Sequence, residues 1–290
     1  VRLECAACAT ERRMRYLLLG PKDERVHRAP FLDALFVHQN NEPKYHALLL
    51  RAVEHGKRGG EARAHILRVV AQYTPVNPAG FAASSAQMEA KRRRWLQLHD
   101  QRTCGIPGLL PIHLGVRARV TERISKKLHI RKHSPCAIWG WDLHPADRAE
   151  SGDGERMLQY LPISIYITFE GATWRVLPQL PQGVFPLKPT HVAWAVNRNA
   201  EATLKRKGFT LIPVYAYTAH MVQGITLAAL LADCGDAFDN VALKYMLAAY
   251  VALSHVRVAD GLLLLRAFSK YLFRQGPPPG PHCLMRLLRA

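Results

Sequence analysis

The stretch from Phe209 to Leu265 constrains the fold more than any other part of the chain. It opens FTLIPVYAYTAHMVQGITL and closes, after an interval, with YVALSHVRVADGLLLL. Residues Phe209 to Tyr217 are apolar, aromatic or β-branched, the texture of a strand covered on both faces. The run breaks at Thr218-Ala219-His220 and again at Gln223-Gly224 before apolar residues resume at Ile225. This predicts a buried strand ending in a turn that presents donors, acceptors and bare backbone. Open α/β sheets hold their ligands at the carboxyl ends of strands, so this corner is the first candidate site.

Two segments here carry a family resemblance. Thr218-Ala219-His220-Met221-Val222-Gln223-Gly224-Ile225-Thr226-Leu227 resembles motif V of the PIF/RecD-like DNA helicases of superfamily 1B, usually T-x-H-K-S-Q-G-x-T-L. Tyr250-Val251-Ala252-Leu253-Ser254-His255-Val256-Arg257, followed by Asp260-Gly261-Leu262, resembles motif VI of the same family, usually Y-V-A-L-S-R-V-R. Order and separation match as well. The implied fold is α/β: a RecA-like, P-loop NTPase-type second helicase domain with a small β-barrel-like insertion. The implied activity is that of the C-terminal motor domain of an ATP-dependent 5′–3′ DNA helicase, a class associated with DNA repair, recombination and telomere maintenance.

Charge fits a polyanionic partner. The 290 residues include 40 Lys and Arg against 22 Asp and Glu, a formal charge of +18. Such a surplus attracts nucleic acid or an anionic membrane, and composition alone does not choose between them. No signal peptide is evident, and the longest apolar stretch is interrupted by His220 and Gln223, so no bilayer span is expected. An intracellular protein, nuclear or otherwise DNA-associated, is the expectation. The chain begins at Val1, which points to a fragment or a processed product. Of six cysteines only Cys5 and Cys8 have metal-like spacing, and without a second pair they read as ordinary thiols, so no metal site is expected.

Earlier in the chain, Glu11 to Leu19 has helical texture. Ala34 to His38 predicts a short strand, and Asn40-Asn41-Glu42-Pro43 the start of a helix with Tyr45, Leu48, Leu49, Ala52 and Val53 on its buried face. By resemblance this is motif IV, where the family often carries an Arg; here His38 and Gln39 stand nearby. His65 to Val70 predicts a strand, and the capping pair Ser84 and Gln87 a helix running to about His99. That helix carries Lys91 to Arg94 and then Trp95, either a phosphate-tracking patch with a stacking ring or a solvated face beside a partly buried one.

From Leu109 the pattern alternates. Leu110, Ile112 and Leu114 form one set, and Val116, Ala118 and Val120 alternate with Arg117, Arg119 and Thr121, which predicts half-exposed strands with both arginines on one face. Ser134 to Asp142 and Ile163 to Phe169 predict two more strands, with a loop over Pro145 to Glu155. His191 to Val196 predicts another strand, Asn199 to Lys207 a short basic helix ending at Gly208, and Ser269 to Arg274 a last helix before the spacer Gln275 to Pro281 and a final turn at Leu284 to Leu288. The resulting domain plan is 1–108 for the first part of the second RecA-like domain, 109–190 for the β-rich insertion, 191–274 for the remainder with both motifs, and 275–290 for a Pro-rich tail.

The resemblance assigns roles residue by residue. Thr218 and His220 would face the DNA backbone; Arg117 and Arg119 are further candidate DNA contacts on the separate ground that strand spacing puts them on one basic face. Gln223, Gly224, Thr226, Tyr250 and Ser254 belong to the ATP side, where Gly224 lets backbone N–H groups approach phosphates. The arginine-finger position holds His255, whose imidazole offers less than the permanently charged guanidinium fork, and Arg257 stands two residues on as a partial substitute. Met221 and Val222 replace the usual Lys and Ser. No G-x-x-x-x-G-K-S/T occurs in the sequence, so ATP and Mg²⁺ require an N-terminal RecA-like helicase domain as partner, alongside single-stranded DNA. The chain alone is not expected to hydrolyse ATP, whether the full-length protein does so is open, and the alternative is a non-catalytic basic nucleic-acid-binding module derived from a degenerate helicase. The polar corner at His220 and the helix carrying Arg257 are expected to converge on one sheet edge.

Overall fold

A computed structural model describes residues 23–59, 65–76, 85–148, 154–195, 203–234, 243–266, 286 and 288. In chain order the elements are β1 (Leu35–His38), α1 (Asn41–Lys57), β2 (Ile66–Val70), β3 (Gln72–Pro75), α2 (Ser85–Leu96), β4 (Leu109–Ile112), β5 (Arg117–Val120) and β6 (Pro135–Asp142). There follow α3 (Pro145–Arg148), β7 (Glu155–Met157), β8 (Ser164–Thr168), β9 (Val184–Leu187), β10 (Thr190–Ala195), β11 (Thr203–Gly208) and β12 (Leu211–Pro213). The last four are β13 (Ala216–Thr218), β14 (Leu230–Asp233), α4 (Leu243–Ser254) and β15 (Leu262–Leu264). Two compact units result, one from residues Val1–Lys44 and Ala216–Ala290, the other from Tyr45–Tyr215.

The first unit is built on a parallel sheet in the order β13-β1-β14-β15. Parallel strands are covered on both faces, and β14, Leu-Leu-Ala-Asp, is buried throughout. Small residues of α4, Ala249 and Ala252, share a core with Val37, Ala219, Val222, Leu230 and Ala232. This is the α/β class, with a parallel sheet, that the resemblance implies.

The second unit carries three sheets. A five-stranded antiparallel sheet runs β12-β5-β6-β8-β9, an antiparallel trio runs β10-β11-β3, and a mixed trio runs β4-β2-β7. Val116, Ala118, Val120, Ile138, Ile165, Ile167 and Leu211 fill the main core. The five-stranded sheet is open, with β12 and β9 as its edges, so no closed barrel forms among the described residues.

Several expectations change. The single strand over Phe209 to Tyr217 is two: β12 pairs antiparallel with β5, and β13 pairs parallel with β1. Pro213 has no N–H to donate to the first ladder, the Val214 N–H still donates to the Arg117 carbonyl at 3.0 Å, and pairing with β1 begins at Ala216. Thr203–Gly208, expected as part of a basic helix, is a strand between β10 and β3. There Leu204, Arg206 and Gly208 are buried while Lys205 is exposed, a period of two. The alternation expected from Leu109 also fails, because Leu110, Pro111, Ile112 and His113 are all buried. His113 is held between carbonyl oxygens, Nε2 at 3.0 Å from that of Ala52 and Nδ1 at 2.9 Å from that of Leu114. Outside the described residues lie the Glu11–Leu19 and Ser269–Arg274 helices, the Cys5 and Cys8 pair, the Ser84 cap, the proline spacer, and all but residues 286 and 288 of the final turn.

Candidate functional site

The first unit brings the two motif-like segments together through backbone. Beyond β13 a 3₁₀ turn, Ala219–Met221, packs against α4, with Ala219 and Val222 buried in the shared core. The chain then turns at Gly224, whose φ of +84° is a left-handed conformation that suits glycine, and a Cβ there would meet nothing within 4 Å. Leu227 next forms a parallel bridge with Val256. Its N–H donates to the His255 carbonyl at 2.7 Å, and the Arg257 N–H donates to the Leu227 carbonyl at 3.1 Å. Both bonds fix the approach of the chain into β14 and β15.

Placement of the individual residues follows from this. Gln223, Gly224, Thr226, Tyr250, Ser254 and Arg257 are exposed, and His255 is half-buried. Ser254, the last residue of α4, donates its hydroxyl back to the Val251 carbonyl at 3.1 Å, and Arg257 lies beyond the helix end. His220 is exposed, whereas Thr218 is buried at the carboxyl end of β13. Leu227 and Val256 precede the amino ends of β14 and β15. The turn at Gln223–Thr226 and the Arg257 segment are therefore linked through the Leu227–Val256 bridge, ahead of the amino ends of β14 and β15, whereas His220 follows the carboxyl end of β13.

At the carboxyl edge of the same sheet the structure assembles a polar row that sequence reasoning missed. Thr218 and Asp233 flank His38 in register on either side. The Asn40 N–H donates to His38 Nδ1 at 2.8 Å, which leaves the ring proton of a neutral imidazole on Nε2, 3.4 Å from Asp233 Oδ2. Arg266 Nε donates to Asp233 Oδ1 at 2.9 Å and Oδ2 at 3.2 Å. Burial, reinforced by the Asp233 charge, pushes the Cys234 thiol up to about 12, so it stays protonated beside this row. The one signal in the sequence was an acid closing the apolar run Leu230–Asp233.

In the second unit Arg117 is exposed, but Arg119 is buried. The two arginines stand two residues apart on β5, as alternation requires, but the burial of Arg119 means that they do not form an exposed basic surface together. Arg119 instead lines a cavity of about 340 Å³ with Asp100, Thr121, Glu122, Lys132 and His133. Burial, with the charges of Arg119 and Lys132, holds the His133 imidazole below its usual range. On α2, Lys91 to Arg94 are exposed while Trp95 is buried with its ring 5.7 Å from that of Tyr73, so this Trp offers no stacking surface.

No group of three or more His, Cys, Asp or Glu side chains is placed to hold a metal ion among the described residues. No helix among them is long and apolar enough to cross a membrane.

No family model and no curated protein matches this chain. Among solved structures it is similar to Pif1 helicase from Candida albicans, with 13% identity over 93% of this chain and 53% of that one and a TM-score of 0.47. It is also similar to Bacteroides Pif1 bound to ssDNA, with 12% identity over 88% and 45% and a TM-score of 0.49. A third is Pif1 helicase from Bacteroides in complex with ADP-AlF3 and ssDNA, with 13% identity over 92% and 48% and a TM-score of 0.48. The chain spans about half the length of the solved chains it matches.

Proposed function

We propose that this chain is the C-terminal motor domain of an ATP-dependent 5′–3′ DNA helicase, binding single-stranded DNA and one side of an ATP cleft. The observation that carries the reading is the Leu227–Val256 bridge, which ties the Gln223–Thr226 turn to the His255–Arg257 segment. Two sequence motifs that share a task in the resembled family are thus held together by two backbone hydrogen bonds, with their polar side chains outward.

The open turn at Gly224 suits the phosphate end of a nucleotide, since bare backbone can approach it without a Cβ in the way. The Gln223 carboxamide orients a polar partner at that edge. Arg257 supplies a permanently charged fork, whose role is to stabilise negative charge developing on a transferred phosphoryl group. His255 in the finger position brings a single ring donor where a guanidinium brings several. ATP with Mg²⁺ supplies the hydrolysable phosphoanhydride, and a P-loop-bearing RecA-like domain, the N-terminal helicase partner, is the principal holder of both. DNA is met by His220 and by the positive field of a chain carrying +18, with Arg117 as a further contact.

One feature favours a second reading, a non-catalytic basic nucleic-acid-binding module. His255 stands at the finger position, and Met221 and Val222 stand where the family has Lys and Ser. An ATPase measurement on this chain joined to a P-loop domain of the family separates the readings. The expected result is slow turnover with His255 and a rise of roughly a hundredfold or more in His255→Arg, since a finger contributes about 10³–10⁵. Fast turnover with His255 intact contradicts the finger assignment, and no turnover in either protein supports the binding module.

A further inference from the structure

The five-stranded sheet of the second unit carries an aromatic and cationic outer face that neither motif explains. On β6, Cys136 and Ile138 point into the core, and between Ile138 and Gly140 the pairing with β8 slips by one residue. Ile138 pairs with Ile167 and Gly140 with Tyr166, so Trp139 is the extra residue of a β-bulge. A bulge sets two residues against one and re-aims a side chain out of the regular alternation. Trp139 is left 48% exposed, its ring 6.1 Å from that of Tyr166 and nearly perpendicular to it at 89°. Gly140 adds no side chain over Tyr166, whose own ring is half-buried.

The same face continues into a row of three paired residues, Arg117 on β5, Ala137 on β6 and Thr168 on β8. Ala137 stands two residues from Trp139, roughly 7 Å along the strand. These three residues line a hollow of about 680 Å³ together with Pro135, Phe169 and Glu170 among others. Arg117 is exposed, with its guanidinium carbon 5.4 Å from the centre of the Tyr215 ring. An exposed indole on a strand whose neighbouring residue Ala137 lines a hollow with an arginine matches the requirements of an unpaired nucleobase and its phosphate: a flat apolar surface for the base and a cation for the backbone.

We propose that Trp139, steadied by Tyr166, is a base-stacking platform for single-stranded nucleic acid on the outer face of this sheet, with Arg117 at the neighbouring phosphate. The proposal rests on the nucleic-acid-binding part of the function given above and adds a site outside both motif segments. A stacked base is recognised by its ring face, so the platform is tolerant of sequence and is lost when the base is absent.

Fluorescence anisotropy of a labelled oligothymidylate and of an abasic oligomer of the same length tests it, using the unsubstituted chain, Trp139→Ala and Trp139→Phe. Trp139→Ala is expected to bind oligothymidylate roughly tenfold or more weakly, with Trp139→Phe retaining most of the affinity. Its salt dependence should match that of the unsubstituted chain, and all three should bind the abasic oligomer alike. Equal affinity of Trp139→Ala and the unsubstituted chain for oligothymidylate overturns the platform. So does an equal loss on the abasic oligomer, or a Phe variant as weak as the Ala variant. Failure of the unsubstituted chain to bind either oligomer removes the nucleic-acid reading itself, and the platform with it.

Discussion

Arg206 shows how little a residue's type reveals about its surroundings. In the sequence it is one of three consecutive basic residues, Lys205-Arg206-Lys207, yet in the fold it is fully buried while Lys205 is exposed. Its Nη1 donates to the Ile106 carbonyl at 2.6 Å, and its Nη2 donates to the Trp95 carbonyl at 2.5 Å and to the Tyr73 hydroxyl. The guanidinium carbon also lies 4.8 Å from the centre of the Tyr73 ring and 5.4 Å from that of Trp194. Burial draws its pKa down and pushes that of Tyr73 up. Arg206→Met removes the donors to the Ile106 and Trp95 carbonyls and to the Tyr73 hydroxyl, so it is expected to cost about 3 kcal/mol in urea unfolding. A loss below about 1 kcal/mol would mean that Arg206 does not organise this core.

At the scale of elements, Gly261 sets the geometry on which the proposed site depends. A Cβ there would lie 2.3 Å from the Ala228 carbonyl oxygen, so the chain enters β15 directly against the segment leading into β14. Gly261→Ala is expected to cost about 2–3 kcal/mol, because backbone cannot yield as a flexible side chain can. Gly224→Ala, with open space but a positive φ, is expected to cost only about 1 kcal/mol. Hydrogen exchange at β14 and β15 reads the difference, and equal protection in the two variants contradicts the close approach. Elements bounded by strong punctuation were legible: β1, then α1 opening at Asn41-Glu42-Pro43 with Tyr45, Leu48, Ala52 and Val53 buried. What the sequence concealed were partners. Nothing in Phe209 to Tyr217 tells that its two halves pair in different sheets, and a six-residue basic strand is hidden because Arg206 counts as polar until its aromatic surroundings are known. The site was legible as two motif-like segments. The bridge joining them was not, since it depends on backbone placement, and neither was the His38–Asp233–Arg266 row, which needs three strands in register.

At the scale of the whole chain, a charge of +18 gives a long-range attraction for polyanions. Arg117, Arg123, Lys126, Lys127, Arg131 and Lys132 keep the second unit's sheet region basic, with Arg119 alone of that group withdrawn into the interior. The first unit presents Gln223, Thr226 and Arg257 outward near the bridge. Contacts to phosphates release bound counterions, so affinity that arises this way must fall as salt rises. The most direct test is filter binding of a single-stranded DNA oligonucleotide to this chain across a salt series. The prediction is a linear fall of log affinity with log salt, with a slope of about −2 or steeper. Binding that is absent, or that does not change with salt, contradicts the account.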